Sequence, residues 1–369
     1  KNGQKMSKSK GNVVDPWEMI QKYGADAMRW FFYTVNPAGE PKRFDEAELG
    51  KKLRQFLMML YNSFVFYDTY GKKSASAGTA AKVTHLLDRW VLARLEATAE
   101  TVTKELERYD VGLAAREIEI FVDDLSRWYI RRSRRRFQKP EAKDHEAASW
   151  VLGHVLRELA KLMAPFTPFF AEALYQSLEG GKDSVHLEDW PKAKKEWADK
   201  ELLQKMEEAR RLASAGLAAR ATANVKVRQP LRRFTAGSAA LTDADKEFLH
   251  IVAEEVNVKE VRIKNKDASF AELDTVIDAE LRREGLLREL ARMVQDLRQD
   301  AGYAPGELVH VVLDLPDGLR TLVGGLNDLK EGVSAKDIFL GKEQTKLGKM
   351  DAEISTKLEE WPLWIGVKK

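Results

Sequence analysis

Apolar residues recur at every third or fourth position through much of the chain from Asp45 onward, a spacing that predicts long amphipathic helices. The stripes cover residues 49–67, 87–109, 115–129 and 151–162, and a shorter helix is expected over 169–178. Each stripe occupies one side of its helix, so the helices must pack against one another as a bundle. The small and polar stretch 71–84 is predicted to be a linker.

The residues before this bundle predict a loop and two short helices. Residues 1–14 show no periodicity. Asp15 can cap a helix that has Pro16 at its first position and Glu18 in its first turn, and Gly24 ends it. A second helix is expected over residues 26–35, where Asp26 and Arg29 are spaced for a surface salt bridge.

The character of the pattern changes after Gly180-Gly181. A long helix is predicted over 200–220, followed by short strands at 225–228 and 260–264. Between Leu308 and Leu315, apolar residues alternate as in a half-buried strand, at Val309, Val311, Leu313 and Leu315. The predicted fold is therefore mainly α, with a mixed α/β C-terminal region, and three parts are expected: 1–44, 45–183 and 184–369.

Composition narrows the class of protein. The 369 residues are 44% hydrophobic and 32% charged, as in a globular protein with a heavily charged surface. The absence of cysteine excludes disulfides and a cysteine-based zinc site, and it favours a cytoplasmic location. No apolar run reaches the roughly 18 residues of a membrane span. Because the chain begins at Lys1 without a signal peptide and a motif follows at once, we expect it to be part of a longer protein.

The segment Lys5–Asn12 is the sharpest chemical motif, reading Lys-Met-Ser-Lys-Ser-Lys-Gly-Asn. Lys5 and Lys8 provide compact cations, and Ser7 and Ser9 provide hydroxyl donors, a combination suited to the charge that builds on a polyphosphate. The predicted catalytic residues are Lys5 and Lys8, and all four side chains are predicted to bind ATP. The alternative is a solvated, lysine-rich terminus.

A second motif concentrates arginines at the end of the third bundle helix. At about 100° per residue, one face of that helix carries four arginines, and a neighbouring column carries two more. Such a strip suits a phosphate backbone, and an aromatic ring among the arginines suits a base. The alternative is that several arginines pair with Asp123, Asp124 or acids on another helix. The residues predicted to contact an RNA backbone or base are Arg127, Trp128, Arg131, Arg132, Arg134, Arg135 and Arg136.

These motifs, in this order, resemble the class I aminoacyl-tRNA synthetases for branched aliphatic amino acids. The resemblance rests on Lys5–Asn12, on Val13–Pro16 and on Tyr23–Trp30, and it extends to about Val261. It implies that residues 1–44 hold the mobile ATP loop and the stem-contact segment, that 45–183 form the anticodon-binding helical bundle, and that 184–369 form a junction and tail. It also implies ATP with Mg²⁺ as substrate, with no metal site of the chain's own.

Three strings are most similar to the isoleucyl-tRNA synthetases: Asp88–Leu95, Phe121–Phe137 and Asn224–Leu231. Resemblance to that family implies tRNA(Ile), isoleucine and ATP as partners, no membrane, and a monomer. The family also needs a His-x-Gly-His motif, and none of the six histidines lies in one. The chain alone is therefore expected to be inactive, and the parent is expected to be the ligase.

Other identities stay open at this stage. The chain is alternatively part of a valyl or leucyl enzyme, or a non-catalytic tRNA-binding module that kept the bundle. The retained Lys5–Ser9 loop argues against the module, which has no use for ATP. An unrelated helical protein does not explain several matching strings in order. For Lys226 and Arg228, the favoured interpretation is a structural strand with solvated side chains.

Overall fold

The computed structural model describes residues 6–7, 9, 11, 13–36, 39–72, 83–138, 144–178, 181–304, 306–341 and 347–369. Contacts between residues divide the chain into two units, 1–203 and 204–369. The first unit is helical, and the second contains both small sheets. The prediction of a mainly α protein with a mixed α/β C-terminal region is confirmed. The predicted boundaries near residues 44 and 183 remain predictions.

The first two helices begin where their caps predict. Helix α1, Pro16–Tyr23, starts with the Asp15 carboxylate accepting a hydrogen bond from the Trp17 amide at 2.8 Å. Gly24 then adopts φ +86°, a conformation that favours glycine, and helix α2, Ala25–Thr34, follows directly. A single residue, Gly24, therefore separates the two helices, and it ends the first one as the sequence predicts.

The rest of the first unit is a bundle whose apolar stripes form its core. Val91, Ile118, Val122, Val151 and Leu159 are fully buried, which confirms the predicted faces. Two stretches within the long helices have π-helical hydrogen bonding. The elements are α3 Glu46–Lys52, a π segment Leu53–Leu57, α4 Met58–Tyr70, α5 Leu86–Glu107, α6 Val111–Asp123, a π segment Asp124–Ile130, α7 Arg131–Gln138, α8 His145–Met163, α9 Pro168–Ser177 and a 3₁₀ turn Val185–Leu187.

The second unit begins with a three-stranded sheet. Helix α10, Lys200–Thr222, precedes strand β1, Leu231–Gly237, and the order continues as α11 Lys246–Val256, β2 Val258–Asn265 and β3 Ala271–Leu273. Strand β1 is central, parallel to β2 and antiparallel to β3. A Cβ on Gly216 would lie 2.5 Å from the Val256 side chain, so α10 and α11 approach closely at a residue without a side chain.

A second sheet follows along the chain. The elements are α12 Ala279–Asp300, β4 Val309–Asp314, α13 Asp317–Val323, α14 Asn327–Gly332, β5 Ala335–Leu340, β6 Ala352–Leu358 and β7 Trp361–Lys368. The strand order is β5-β4-β7-β6, with β4 parallel to β5 and antiparallel to β7. Its core joins Leu290 and Val294 of α12 to Val309, Val311 and Ile365. A strand between Leu308 and Leu315 is therefore confirmed, but Val312 is also fully buried, so the strand is not half-buried as its alternation predicted.

The predicted strand at residues 225–228 is wrong, whereas the one at 260–264 lies within β2. Residues 223–224 and 227–228 form turns, and β1 begins only at Leu231, after Pro230. The Val225 amide donates to the Arg220 carbonyl at 3.0 Å, and the Gln229 amide donates to the Lys226 carbonyl at 3.0 Å. These backbone groups are thus used in local hydrogen bonds and not in a ladder with a neighbouring strand.

Candidate nucleotide and RNA interface

The lysine-serine loop is described only in part. Lys5 and Lys8, the two predicted catalytic residues, lie outside the described residues. The hydroxyls of Ser7 and Ser9 lie 2.7 Å apart, and Gly11 has φ +60°. Two hydroxyls at this separation present adjacent donors to one anionic group. The assignment of all four side chains to ATP remains a prediction.

Helix α2 connects this segment to the bundle through two charged residues. Burial leaves Asp26 only 7% exposed, and its carboxylate accepts a hydrogen bond at 2.6 Å from the Phe170 amide at the start of α9. Arg29 donates to the Phe166 and Pro165 carbonyls at 2.8 and 2.9 Å. The predicted surface salt bridge between Asp26 and Arg29 is therefore wrong, because both side chains satisfy the backbone around α9 instead.

A third link joins α2 to the helix that carries the arginines. The Trp30 indole donates to the Glu119 carboxylate at 2.8 Å, and Lys52 donates to the same carboxylate at 2.7 and 2.9 Å. The Trp30 ring is fully buried and stacks on Phe56 with centroids 3.9 Å apart. The buried indole thus packs its ring against an aromatic neighbour and donates its N–H to a carboxylate. The hydrogen bond to Glu119 fixes α2 against α6.

The π segment Asp124–Ile130 interrupts the helix where its arginines begin, and it contains Arg127. It puts the buried carboxylate of Asp124 within 3.0 Å of the Arg94 guanidinium, which also contacts Glu117 at 2.7 Å. Burial acts to lower the pKa of Arg94, but Glu117 and Asp124 outweigh it and raise that pKa. A π segment shifts the faces of a helix and recurs at functional sites.

Arg136, the last predicted RNA contact, is held inside the protein. Its guanidinium is 12% exposed, donates to Asp88 at 2.8 and 2.6 Å, and contacts Asp144 at 2.5 Å. The Tyr129 hydroxyl donates to the same Asp88 carboxylate at 2.8 Å. Burial, together with Asp88, raises the pKa of Tyr129 well above its usual value, so the hydroxyl stays protonated. This position gives no support to an RNA contact by Arg136.

The other arginines divide as the helical period predicts. Arg127, Arg131, Arg134 and Arg135 are exposed, whereas Arg132 is half-buried. Arg127 pairs with Asp123 at 2.8 Å, and the Arg131 guanidinium donates to the Arg127 carbonyl at 2.8 Å. No ion pair or hydrogen bond to the guanidinium of Arg134 or Arg135 is found in the described part of the chain. We call these four exposed side chains the arginine strip.

Trp128 lies beside the arginine strip and is half-buried. Its ring centroid is 6.0 Å from the Arg131 guanidinium carbon and 5.4 Å from that of Arg132. Arg134 lies at 6.0 Å from the Phe66 ring. Guanidinium groups held against aromatic faces lose less freedom when they bind a phosphate. The arrangement therefore suits the predicted phosphate contacts, which no direct observation tests.

Sequence reasoning missed three features of the structure: the cluster around Asp88, the π segment, and the buried hydrogen bond of Asp26 to the Phe170 amide. One signal was available for Asp88. It falls on the apolar face shared by Val91, Leu92 and Leu95, where an acid must find a partner. Nothing in the local pattern identified that partner as Arg136, 48 residues later.

Two negative findings complete the description. Among the residues that the structure describes, no three His, Asp or Glu side chains gather so that they could hold a metal ion. No described helix combines the length and apolar character that crossing a membrane requires.

Comparison with known proteins assigns two parts of the chain. A model of the anticodon-binding domain of tRNA ligases matches residues 88–235. A model of the class I tRNA synthetases for I, L, M and V matches residues 1–44. The first match contains all but the first two residues of α5, the π segment Asp124–Ile130 and the arginine strip. The second contains the lysine-serine loop with α1 and α2.

Several relatives share a name. The isoleucine–tRNA ligase of Thermus thermophilus is 43% identical over 71% of this chain and 26% of its own length. That of Dehalococcoides mccartyi (strain CBDB1) is 37% identical over 87% of this chain and 34% of its own length. That of Clostridium acetobutylicum is 30% identical over 93% and 42%. The chain thus spans between about a quarter and two-fifths of the length of these relatives.

Proposed function

Because the chain belongs to the class I tRNA synthetases, we propose that it is part of an isoleucine–tRNA ligase, in which it supplies an ATP loop and a tRNA-binding surface. In the proposed reaction, a carboxylate oxygen of isoleucine attacks the α-phosphorus of ATP and displaces pyrophosphate. The terminal ribose hydroxyl of tRNA(Ile) then attacks the adenylate carbonyl and releases AMP. Mg²⁺ accompanies ATP as part of the substrate.

The main support for this proposal is the sequence similarity of the chain to relatives named isoleucine–tRNA ligase. Curated relatives that cover 70% or more of the chain are named isoleucine–tRNA ligase. This favours isoleucine over the valyl and leucyl alternatives. It also disfavours a separate binding module, since the ATP loop lies in the part that the synthetase model matches.

In this proposal, separate groups of residues bind ATP and tRNA. Lys5, Ser7, Lys8 and Ser9 bind the phosphates of ATP, and the lysines stabilise charge that grows as pyrophosphate leaves. The arginine strip binds the backbone of the tRNA, with Trp128 beside it for a base. Arg136 keeps the strip in place through Asp88, and it is a positioning residue in this proposal. The chain acts as a monomer toward one tRNA.

The test is selectivity for the anticodon by the full 369-residue chain. Fluorescently labelled tRNA(Ile) is titrated with the chain, beside the same transcript carrying a valine or a leucine anticodon. We expect weak binding that favours the isoleucine anticodon, because the matched domain is of the anticodon-binding type. Equal affinity for all three transcripts would contradict anticodon recognition by this chain, and preference for another anticodon would favour the corresponding alternative.

A further inference from the structure

A buried arginine in the second unit is surrounded by carbonyls and lacks a counter-charge. Arg220, near the end of α10, is 1% exposed. Its guanidinium donates to the carbonyls of Val256, Asn257 and Lys226 at 2.5, 2.6 and 2.9 Å. No carboxylate pairs with it within the described part of the chain. Burial and Arg288 lower its pKa to about 10, so it remains charged at neutral pH.

The consequence of this burial is electrostatic. Taking a charge out of water without a counter-ion is costly, even when hydrogen bonds are satisfied. The surface immediately outside such a charge has a positive potential and favours an anion. That surface is the turn at residues 224–229, one of whose carbonyls accepts from Arg220. We call this turn the clamped loop.

The backbone of the clamped loop is fixed from inside. Asn224 adopts φ +53°, the Asn257 amide group donates to the Val227 carbonyl at 2.8 Å, and the Gln229 amide donates to the Lys226 carbonyl. The carbonyls are therefore used inward, while the side chains of Lys226, Val227 and Arg228 are exposed. A rigid backbone reduces the entropy that the loop loses when it binds a partner.

Further cations surround the loop. Arg228 lies 3.4 Å from Glu289, and both Arg288 and Lys259 contact Glu284, at 2.6 and 2.5 Å. Arg288 also donates to the side-chain oxygen of Asn257, which ties it to the loop. Lys226 is exposed and forms no ion pair with any described residue. Among these residues, four exposed cations face the two carboxylates of Glu284 and Glu289, and the buried Arg220 adds a further positive charge.

We propose that the clamped loop, with Arg288 and Lys259, is a second contact for an RNA phosphate backbone, separate from the arginine strip. The proposal rests on the proposed function, which supplies tRNA as the ligand. Phosphates fit because the surface offers exposed cations on a fixed backbone, and lysine and arginine side chains form charge-assisted hydrogen bonds with phosphate oxygens. Sequence analysis had favoured a structural strand with solvated Lys226 and Arg228. The turn contradicts the strand, whereas both side chains are exposed as expected.

The test compares two double variants of the full chain in tRNA binding at several salt concentrations. Lys226→Ala with Arg228→Ala removes the loop's cations. The control, Arg320→Ala with Lys336→Ala, removes the same charge from exposed positions on α13 and β5 of the same unit. Each phosphate contact contributes about −0.7 to −0.9 to the slope of log affinity against log salt. We expect the loop variant to flatten that slope by roughly 1.5 and to bind about tenfold more weakly at low salt, while the control stays unchanged.

The possible results distinguish failure of the clamped-loop contact from failure of the proposed function. A loop variant that behaves as the control, while loss of the arginine strip still weakens binding, overturns this contact and leaves the proposed function standing. A weaker affinity with an unchanged salt slope also overturns it, because the loop then acts without phosphate contact. If the unmodified chain binds no tRNA, both proposals fail. Displacement by polyglutamate as effective as by tRNA would assign the loop to an acidic protein instead.

Discussion

The carboxylate of Asp88 and the guanidinium of Arg136 form a two-pronged ion pair inside the first unit, with distances of 2.8 and 2.6 Å. Asp88 is fully buried on α5, and Arg136 is at the end of the helix that carries the arginine strip. The pair therefore fixes the helix of the arginine strip against the bundle core. The Tyr129 hydroxyl donates a further hydrogen bond to the same carboxylate.

Removing one partner of this pair is expected to destabilise the first unit. Asp88→Asn leaves the charge of Arg136 buried with only Asp144 to balance it, and we expect a loss of roughly 3 kcal/mol in the free energy of unfolding. Asp123→Asn breaks the exposed pair with Arg127 and serves as the control, with a change within about 1 kcal/mol. Urea unfolding followed by tryptophan fluorescence measures both. Equal losses in the two variants would contradict the buried role of Asp88.

Stability is also expected to depend on pH through His154. Burial, with smaller contributions from Lys194, Arg157 and Lys161, lowers its pKa from 6.5 to about 3. Its Nε2 is buried and has no hydrogen-bond partner among the described residues, and its ring stacks on Trp150 with centroids 5.2 Å apart. The folded protein therefore holds the neutral ring, while the unfolded chain takes up a proton below pH 6.5.

The sign follows from linkage. The contribution of His154 is fully present above about pH 6.5 and is lost as the pH falls toward 3. His154→Phe keeps an aromatic ring but cannot titrate, so its stability should fall less over this range, by a difference on the order of a few kcal/mol. Urea midpoints at a series of pH values give the two curves. Parallel curves for both proteins would show that His154 does not titrate on unfolding.

Features that depend on residues close together in the sequence were predicted, whereas contacts between distant residues were not. Helical stripes and the split of the arginines into two columns depend on neighbours three and four residues away, and both were predicted. Asp26 is held by a hydrogen bond from the Phe170 amide, and Arg136 is held by hydrogen bonds to Asp88. Neither partner lies near enough in the sequence for a local pattern to identify it. The turn at 225–228 was mistaken for a strand because Arg220, which holds it, lies before it on another element.

The candidate site divides in the same way. Exposure of Arg127, Arg131, Arg134 and Arg135 followed from periodicity, but the internal use of Arg136 did not. The π segment has no periodic signal of its own, since it arises where Asp124 meets Arg94 across the bundle. The role of the lysine-serine loop rests on its residue types and on family membership, because Lys5 and Lys8 lie outside the described residues.

The loop's role in catalysis is tested by replacing Lys8 in an isoleucine–tRNA ligase that carries it. Interactions made mainly in the transition state lower the rate of the chemical step more than they weaken ground-state binding. Lys8→Ala should therefore slow adenylate formation by roughly 10²-fold or more, with little change in the affinity for isoleucine. Lys8→Arg should restore part of the rate, because charge is kept but its shape changes. Quench-flow kinetics that show a normal rate for Lys8→Ala would remove the loop from the mechanism.

The measurement that tests the central claim most directly is the salt dependence of tRNA(Ile) binding by the full chain with charges reversed in the arginine strip. Arg131→Glu with Arg135→Glu is compared with Lys104→Glu and Arg108→Glu, which make the same charge change at exposed positions on and next to α5. We predict that the strip variant loses about two phosphate contacts, so its log–log salt slope flattens by roughly 1.5 to 2, while the control keeps the slope of the unmodified chain. Identical slopes for the strip variant and the control would contradict a tRNA backbone bound on this surface.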